Sequence, residues 1–521
     1  HPGRQTPGGL RGGHRLMATY TLYVDWNKDG TFTGTNEDVS ADVLELEWER
    51  GRDRASQLTG RFISGKLEAL LKDTTGKYAS FNSASPLYGS LLPGRKVKLD
   101  VTSGTTRTVW TGFLERIEPQ PEIKDFQVAR LTAFGPLGYL SQKQVSVPMS
   151  TSIRTDNAVG TVLDQAGWPA ADRSLDAGKT TMTRWWTERR DVVNALREIE
   201  LTEAGFLLET KDGKIAFENR HHRLVEPHLT SQGTFSDASG ASLTYREAQQ
   251  IDPLPFVFNI FEAQVRIFSV GSLAVLWTHP ETGANSPLVR HAGGSITLWA
   301  NYPNPDSPTD AFSVDAWTTP VVTTDYLANS ASDGGGTNLT SSISVAATKF
   351  ANAMKLVITN NHATLGAYLT FLQARGTPVT QADPVRVEAE DTPSGTAYGE
   401  RTYPQPPEWL PNTDEAQDWA DWHLSIYKDA IPFMEVAIPA SRDTAHMAHA
   451  LDRDIGDRVR IVANNRAKLG INRDFYIEAE RHRVTPGPLH EVWWMLSDAE
   501  EFLNFWVLNT SALGTSTKLA Y

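Results

Sequence analysis

The amino-acid sequence predicts a mainly β protein with a smaller α+β part: two related antiparallel β modules, a helix-hairpin unit between them and an inserted β-sandwich. Three observations carry this expectation. First, Gly94-Arg95-Lys96-Val97-Lys98-Leu99 is restated near the other end as Gly456-Asp457-Arg458-Val459-Arg460-Ile461. Nineteen residues separate Gly94 from Phe113 and Gly456 from Phe475, so one offset of 362 covers the strand and the loop after it. At the same offset Val128-Ala129-Arg130-Leu131 meets His490-Glu491-Val492-Trp493, and each copy reads as three consecutive strands. Second, 39 glycines, 29 prolines and many Thr/Ser/Val clusters favour a turn-rich β chain over a helical one. Third, helical periodicity is strongest between residues 151 and 224.

With 521 residues the chain exceeds one compact core and suggests about three or four domains. No apolar run approaches the roughly 20 residues of a membrane helix, and no signal-peptide pattern is visible, so a soluble protein is expected. The absence of cysteine excludes disulfides and thiolate metal sites. A net charge of −13 argues against a protein that grips duplex DNA, because phosphate affinity needs clustered Lys and Arg. An acidic surface suits a passage through which DNA slides without sticking.

In chain order, residues 1–17 are basic, glycine-rich and aperiodic, and are read as a disordered or non-native leader. Residues 18–150 form the first β module, with strands at Tyr20, Leu22 and Val24 and at 43–48. Leu67, Leu70 and Leu71 predict a short helical turn. Residues 151–224 form the helix-helix-hairpin domain: a helix over 156–166, a second from about Thr187 to Glu203 ended at Gly205, then a hairpin turning at Lys211-Asp212-Gly213. Residues 225–308 begin the second β module, 309–382 are a low-charge inserted sandwich, and 383–500 complete the module. Within that last part a helix over 414–427 begins at Thr413 and carries a Trp419/Trp422 stripe expected in a core. Residues 501–521 read as a C-terminal arm.

Several stretches also carry a family resemblance. Pro93-Gly94-Arg95-x-Val97, then Trp110-Thr111-Gly112-Phe113, then Ile117-Glu118-Pro119 resembles the opening barrel of phage tail-tip and baseplate hub proteins. The segment from Trp185-Trp186 through Asn219-Arg220-His221-His222-Arg223 resembles minor tail proteins of long-tailed phages, as does the ending from Phe502 to Tyr521. The resemblance implies that the two modules are tube-like barrels, six of them in a homotrimer at the virion tail tip, assembled in the bacterial host cytoplasm. It implies as partners a tail tube or distal tail protein, a tape measure and a fibre or spike, with phage DNA passing without specific binding. The insert departs from the minimal hub and could contact host surface or another tail protein. A rival reading is a secreted carbohydrate-binding protein or glycan hydrolase with β-sandwich modules.

Candidate site residues are few. Asp25, Asn27, Asp29 and Gly30 copy the first half of an EF-hand calcium loop, but position twelve is Asn36, Glu37 is one place late and the flanks read as strand. An Asx-rich hairpin turn is the expected reading. Neighbouring His221 and His222 point to opposite strand faces and predict a polar strand end rather than a metal site. Arg189, Arg190, His446 and His449 are expected on solvated surfaces. Glu115 and Glu118 are the right residue type for a glycosidase pair, which would also need a cleft. With no nucleophile elbow, zinc helix, phosphate loop or dinucleotide fingerprint, no catalytic, cofactor-binding or metal residue is expected.

Overall fold

The computed structural model describes residues 18–52, 61–120, 127–251, 254–281, 284–302, 313–430 and 433–499, and the backbone of 505–506 and 518–519. The leader 1–17 and most of the C-terminal arm lie outside the described residues.

Six strands open the chain: β1 (Thr19–Val24), β2 (Val43–Arg52), β3 (Phe62–Lys72), β4 (Lys96–Ser103), β5 (Thr105–Gln120) and β6 (Val128–Phe134). They lie in the order β1-β4-β5-β6-β3-β2, all antiparallel. The α+β unit follows, with α1 (Pro136–Leu140), β7 (Gln144–Arg154), α2 (Thr155–Gln165), β8 (Arg173–Leu175), β9 (Thr181–Asp191), α3 (Val192–Glu203), β10 (Phe206–Glu209) and β11 (Ile215–Glu218). β7 pairs with β9, and β10-β11-β8 make a small sheet.

Next come β12 (Thr234–Ser236) and β13 (Glu247–Ile251), then β14 (Ile260–Val270), β15 (Ala274–His279), β16 (Leu288–Val289), β17 (Ser295–Asn301), β18 (Ser313–Trp317), β19 (Tyr326–Asn329), β20 (Ile343–Lys349), β21 (Ala353–Asn360) and β22 (Ala367–Glu390). β22 pairs along its length with β14, β15, β16, β18 and β19, while β17-β21-β20 form a second sheet. One buried cluster takes Leu356 and Ile358 from the smaller sheet and Leu369, Leu372 and Val314 from the larger, which is sandwich packing. The chain ends with α4 (Thr392–Tyr398), α5 (Thr413–Tyr427), β23 (Phe433–Pro439), α6 (Thr444–Asp452), β24 (Arg458–Ala463), β25 (Ile471–Thr485), β26 (Leu489–Asp498) and the short parallel pair β27 (Phe505–Trp506) and β28 (Lys518–Leu519).

The repeat extends well beyond three strands. β12, β24, β25, β26, β23 and β13 neighbour one another in the order of β1, β4, β5, β6, β3 and β2. β12 alone departs in direction, running parallel to β24 where β1 is antiparallel to β4. Both halves lie in one twelve-stranded sheet and share one core, with Leu67, Leu99 and Leu131 beside Val459, Phe475 and Trp494. Among the described residues no strand pair closes either half into a barrel; each is an open run joined to the other through β2 and β25.

The single offset of 362 needs correction. It holds for β4 and β24, where Val97 and Leu99 match buried Val459 and Ile461. In the next two strands the offset is 363: Leu114 pairs with Ala133 as Ile477 pairs with Leu496, and the bulges after Leu114 and Ile477 set aside Glu115 and Glu478. One residue reverses a strand's faces. Phe113 accordingly packs with Tyr139 and Trp168 on the α+β unit, whereas Phe475 lies in the sheet core.

Four local expectations also change. Leu67 and Leu71 lie on strand β3, facing inward with Ala69 between them, because β2 and β6 flank the segment and impose period two. Residues 187–191 finish β9, and the Asp191 carboxylate accepts from the Asn194 N–H to start α3 at Val192. α5 is capped by Asn412, whose side chain accepts from the Glu415 N–H. His446 is buried: its Nε2 accepts from the Thr244 N–H at 3.0 Å and its Nδ1 lies 2.8 Å from an Asp443 carboxylate oxygen. Arg189 and Arg190 are exposed as expected.

Val97 and Val459 are fully buried at matching places in the shared core. Val97→Asp and Val459→Asp are each expected to cost more than about 3 kcal/mol, because the carboxylate has no buried partner. Denaturant unfolding followed by tryptophan fluorescence checks this; unchanged midpoints would overturn the core assignment.

Candidate functional site at the seam between the halves

Residues 46–51 of β2 pair antiparallel with 479–484 of β25, and this ladder turns two six-stranded halves into one sheet. Gly51 makes the close approach possible. Its φ is +121°, and a Cβ there would sit 2.4 Å from the Ala479 Cα and the Glu478 carbonyl oxygen.

The strands that meet here carry charge into the interior. Arg50 pairs with Glu480 at 2.6 Å and Asp454 at 2.5 Å, and donates to the Glu209 carbonyl at 2.8 Å. Glu478, set aside by its bulge, receives Arg223 at 2.6 Å, Arg52 at 3.3 Å and the Ser497 hydroxyl at 2.6 Å. Arg223 also lies 4.0 Å over the Phe206 ring, and its carbonyl accepts from the Tyr476 hydroxyl. Burial pushes the Glu478 carboxyl up, but the Arg223 and Arg52 charges more than offset this and hold it at about 2.

Glu209 differs. Burial dominates and raises it to about 7, although its carboxylate accepts from the Gly65 and Leu137 N–H groups at 2.8 and 2.6 Å. Trp48 stacks on His482 at 4.6 Å, His482 Nδ1 and His490 Nε2 are 3.0 Å apart, and the Tyr20 hydroxyl reaches His490 Nδ1. Burial holds both imidazoles below the usual histidine range. A cavity of about 240 Å³ opens along the ladder between Arg50, Ile63, Ala479, Trp493 and Met495. A second, of about 90 Å³, lies where Arg52, Arg197, Arg220 and Arg223 face Tyr403 and His423.

Chemically, this arrangement fixes geometry. A one-residue slip would carry Glu478 and Glu480 away from every guanidinium that neutralises them. The helix-hairpin unit is keyed into the seam by Phe206, Glu209 and Arg223, so three segments share one set of charges.

Sequence reasoning did not single out these residues. The available signal was Arg50-Gly51-Arg52 and Glu478-Ala479-Glu480, charges at alternate positions of strands whose neighbours are apolar. The residues it did single out lie elsewhere. Glu115 and Glu118 are exposed on β5 and share Arg116 between them, at 2.7 and 3.3 Å. His222 stands 2.6 Å from an Asp176 oxygen on a 3-10 turn after β11. Trp419 lies in a core cluster with Phe261 and Ala416. Asp25, Asn27 and Asp29 form the expected Asx turn: Asp25 Oδ1 and Asn27 Oδ1 accept from the Asp29 N–H, and Asp29 Oδ1 accepts from the Thr31 N–H.

Gly51→Ala is expected to lower stability by about 2–4 kcal/mol, through a backbone clash at positive φ. Thermal melting read against an exposed control such as Gly470→Ala, where φ is +73° but nothing lies within 4 Å, separates the clash from the torsional cost; equal losses would show that the seam tolerates a Cβ. Glu478→Gln is expected to cost about 3–5 kcal/mol at pH 7 by leaving two buried guanidiniums short of charge. Because the Glu478 carboxyl sits below its ordinary value, its contribution is present above about pH 4.5 and is lost as pH falls through about 2. Unfolding curves of wild type and variant should therefore converge between these pH values, and a constant gap would refute the assignment.

No protein-family model matches the chain, and no curated protein matches it. Among solved structures, the tail protein from Neisseria meningitidis MC58 superposes with a TM-score of 0.50 at 9% identity, covering 93% of this chain and 97% of that one. The 43 kDa tail protein of prophage MuSo2 from Shewanella oneidensis gives a TM-score of 0.47 at 10% identity, covering 93% and 99%. Prophage tail protein gp18 from Listeria monocytogenes EGD-e gives 0.41 at 8%, covering 92% and 94%. At such identities the likeness is one of fold, which this chain shares over nearly its whole length with the Neisseria protein.

Proposed function

We propose that the chain is a structural component of a phage tail tip, a trimeric hub whose six related halves ring one axis between a sixfold tail tube and a threefold tip. The observation that carries this reading is a pairing made once inside the chain and left open once. β2 lies on the edge of β25 at residues 479–484. The matching edge of β5, residues 116–120, has no strand partner opposite β6 among the described residues, and neither does the outer edge of β13, the counterpart of β2. Joining β13 of one copy to β5 of the next repeats the internal seam between copies. That contact is heterologous, and such contacts close into rings when the rotation permits. Three copies supply the six halves that a sixfold tube requires.

On this reading the strand pairings also suggest a domain division in which the insert spans about residues 260–390. The insert would face outward, available to host surface or another tail protein. The acidic chain suits a channel wall that DNA passes without binding. The tail tube, tape measure and spike or fibre are the neighbours expected.

Light scattering on the purified chain tests the reading. A species of three chain masses is the expected result, reduced to monomer by Ile117→Pro in the open edge of β5, with circular dichroism verifying that the variant is folded. A wild-type monomer that binds or cleaves cell-wall glycan would replace the hub with the secreted-protein reading.

A further inference from the structure

We infer that the loop between β1 and β2 is a binding site for a divalent cation, and that its chemistry fits calcium. Asp25, Asp29 and Glu37 each present a carboxylate oxygen, and these oxygens all lie within 4.8 Å of one another. Two oxygens at about 2.4 Å on opposite sides of a calcium ion would be about 4.8 Å apart, so the cluster has the span of a coordination shell. Asp25 is 2% exposed and Glu37 is 1% exposed. Glu37 Oε2 accepts from the Gly34 N–H at 2.6 Å, whereas its Oε1 is buried and has no hydrogen-bond partner.

A buried carboxylate oxygen without a partner is costly, and more so beside two further carboxylates. Among the described residues no lysine or arginine forms an ion pair with these three carboxylates, Lys28 within the loop included, and Lys98 pairs instead with Asp100 at 2.8 Å and lies over the Tyr23 and Phe32 rings. A divalent cation matches what is left unsatisfied. Every available donor is oxygen, with the Asn27 side chain adjacent, and neither nitrogen nor sulfur is offered, which selects a hard ion over zinc.

The fold explains why Glu37 serves although it falls one place late for an EF-hand. The flanks are strands, so a helical twelve-residue count does not apply. The Val24 N–H donates to the Glu37 carbonyl at 2.9 Å and Tyr23 bridges to Asp38, which folds the far end of the loop back onto β1. Gly34 leaves the room, since a Cβ there would lie 2.7 Å from the Glu37 carboxylate. The ion would therefore tie both ends of the loop at the outer strand of the sheet.

The test uses the full chain freed of metal and titrated with calcium chloride, and in parallel with terbium excited through Trp26, which is buried within the loop. Saturable terbium emission that calcium displaces, and a melting temperature raised by about 2–5 °C in millimolar calcium, are expected. Both responses should weaken at least tenfold in Asp29→Asn, an exposed position whose remaining oxygen can keep the turn, and in Glu37→Gln. Melting of Asp29→Asn in EDTA, expected to equal wild type, verifies its fold. No calcium response in wild type, or a response retained by both variants, overturns the site. The outcome is independent of the oligomeric state.

Discussion

The pairing of residues 46–51 with 479–484 is the constraint on which the rest of the structure depends. It joins segments more than 400 residues apart, so the contacts made along it must offset the entropic cost of closing that loop. A backbone ladder alone would leave the angle between the halves loosely set. The buried charges set it, because Arg50, Arg52 and Arg223 reach Glu478 and Glu480 in one register only. The strength of such a network lies in discrimination, since taking ions out of water consumes most of what their attraction returns.

The α+β unit and the insert inherit their positions from this seam. Glu209 on β10 caps the Gly65 and Leu137 N–H groups, tying β3 and α1 to the hairpin that also holds Arg50. α5 stands at the root of the insert, where the Trp419 indole donates to the Leu201 carbonyl of α3 and the helix packs on β14 and β22. The charged cavity lined by Arg197, Arg220 and Tyr403 is where these pieces converge. The sheets built on β22 are thus tied to the α+β unit through a helix.

What could be read from the sequence divides along physical lines. The repeat was legible in β4 and β24 because both strands bury the same alternate positions. Its true extent was hidden: the connection to the next strand differs by one residue, and a constant offset puts Phe113 opposite Phe475 although the two face opposite sides. The segment around Leu67 offered both periods, and only its neighbours β2 and β6 decided between them. The hairpin after α3 was plain from Asp212-Gly213. The seam charges were obscure because alternation assigns buried positions to apolar residues, and which charges find partners is a tertiary fact. For the 25–37 loop the residue types were visible, and the counting rule belonged to a helical frame that this fold does not use.

At offset 363 the positions of Glu478, Glu480 and His482 are held in β5 by Glu115, Ile117 and Pro119. The internal edge is covered as soon as the chain folds, so it can bury charges that need permanent partners. The β5 edge stands open in a free chain, and an open edge invites indiscriminate pairing. Its residues answer that hazard: Glu115, Arg116 and Glu118 pair among themselves in solvent, and Pro119 offers no N–H to a passing strand. Divergence between the copies therefore follows from when each edge is covered, the one during folding and the other, on the hub reading, during assembly.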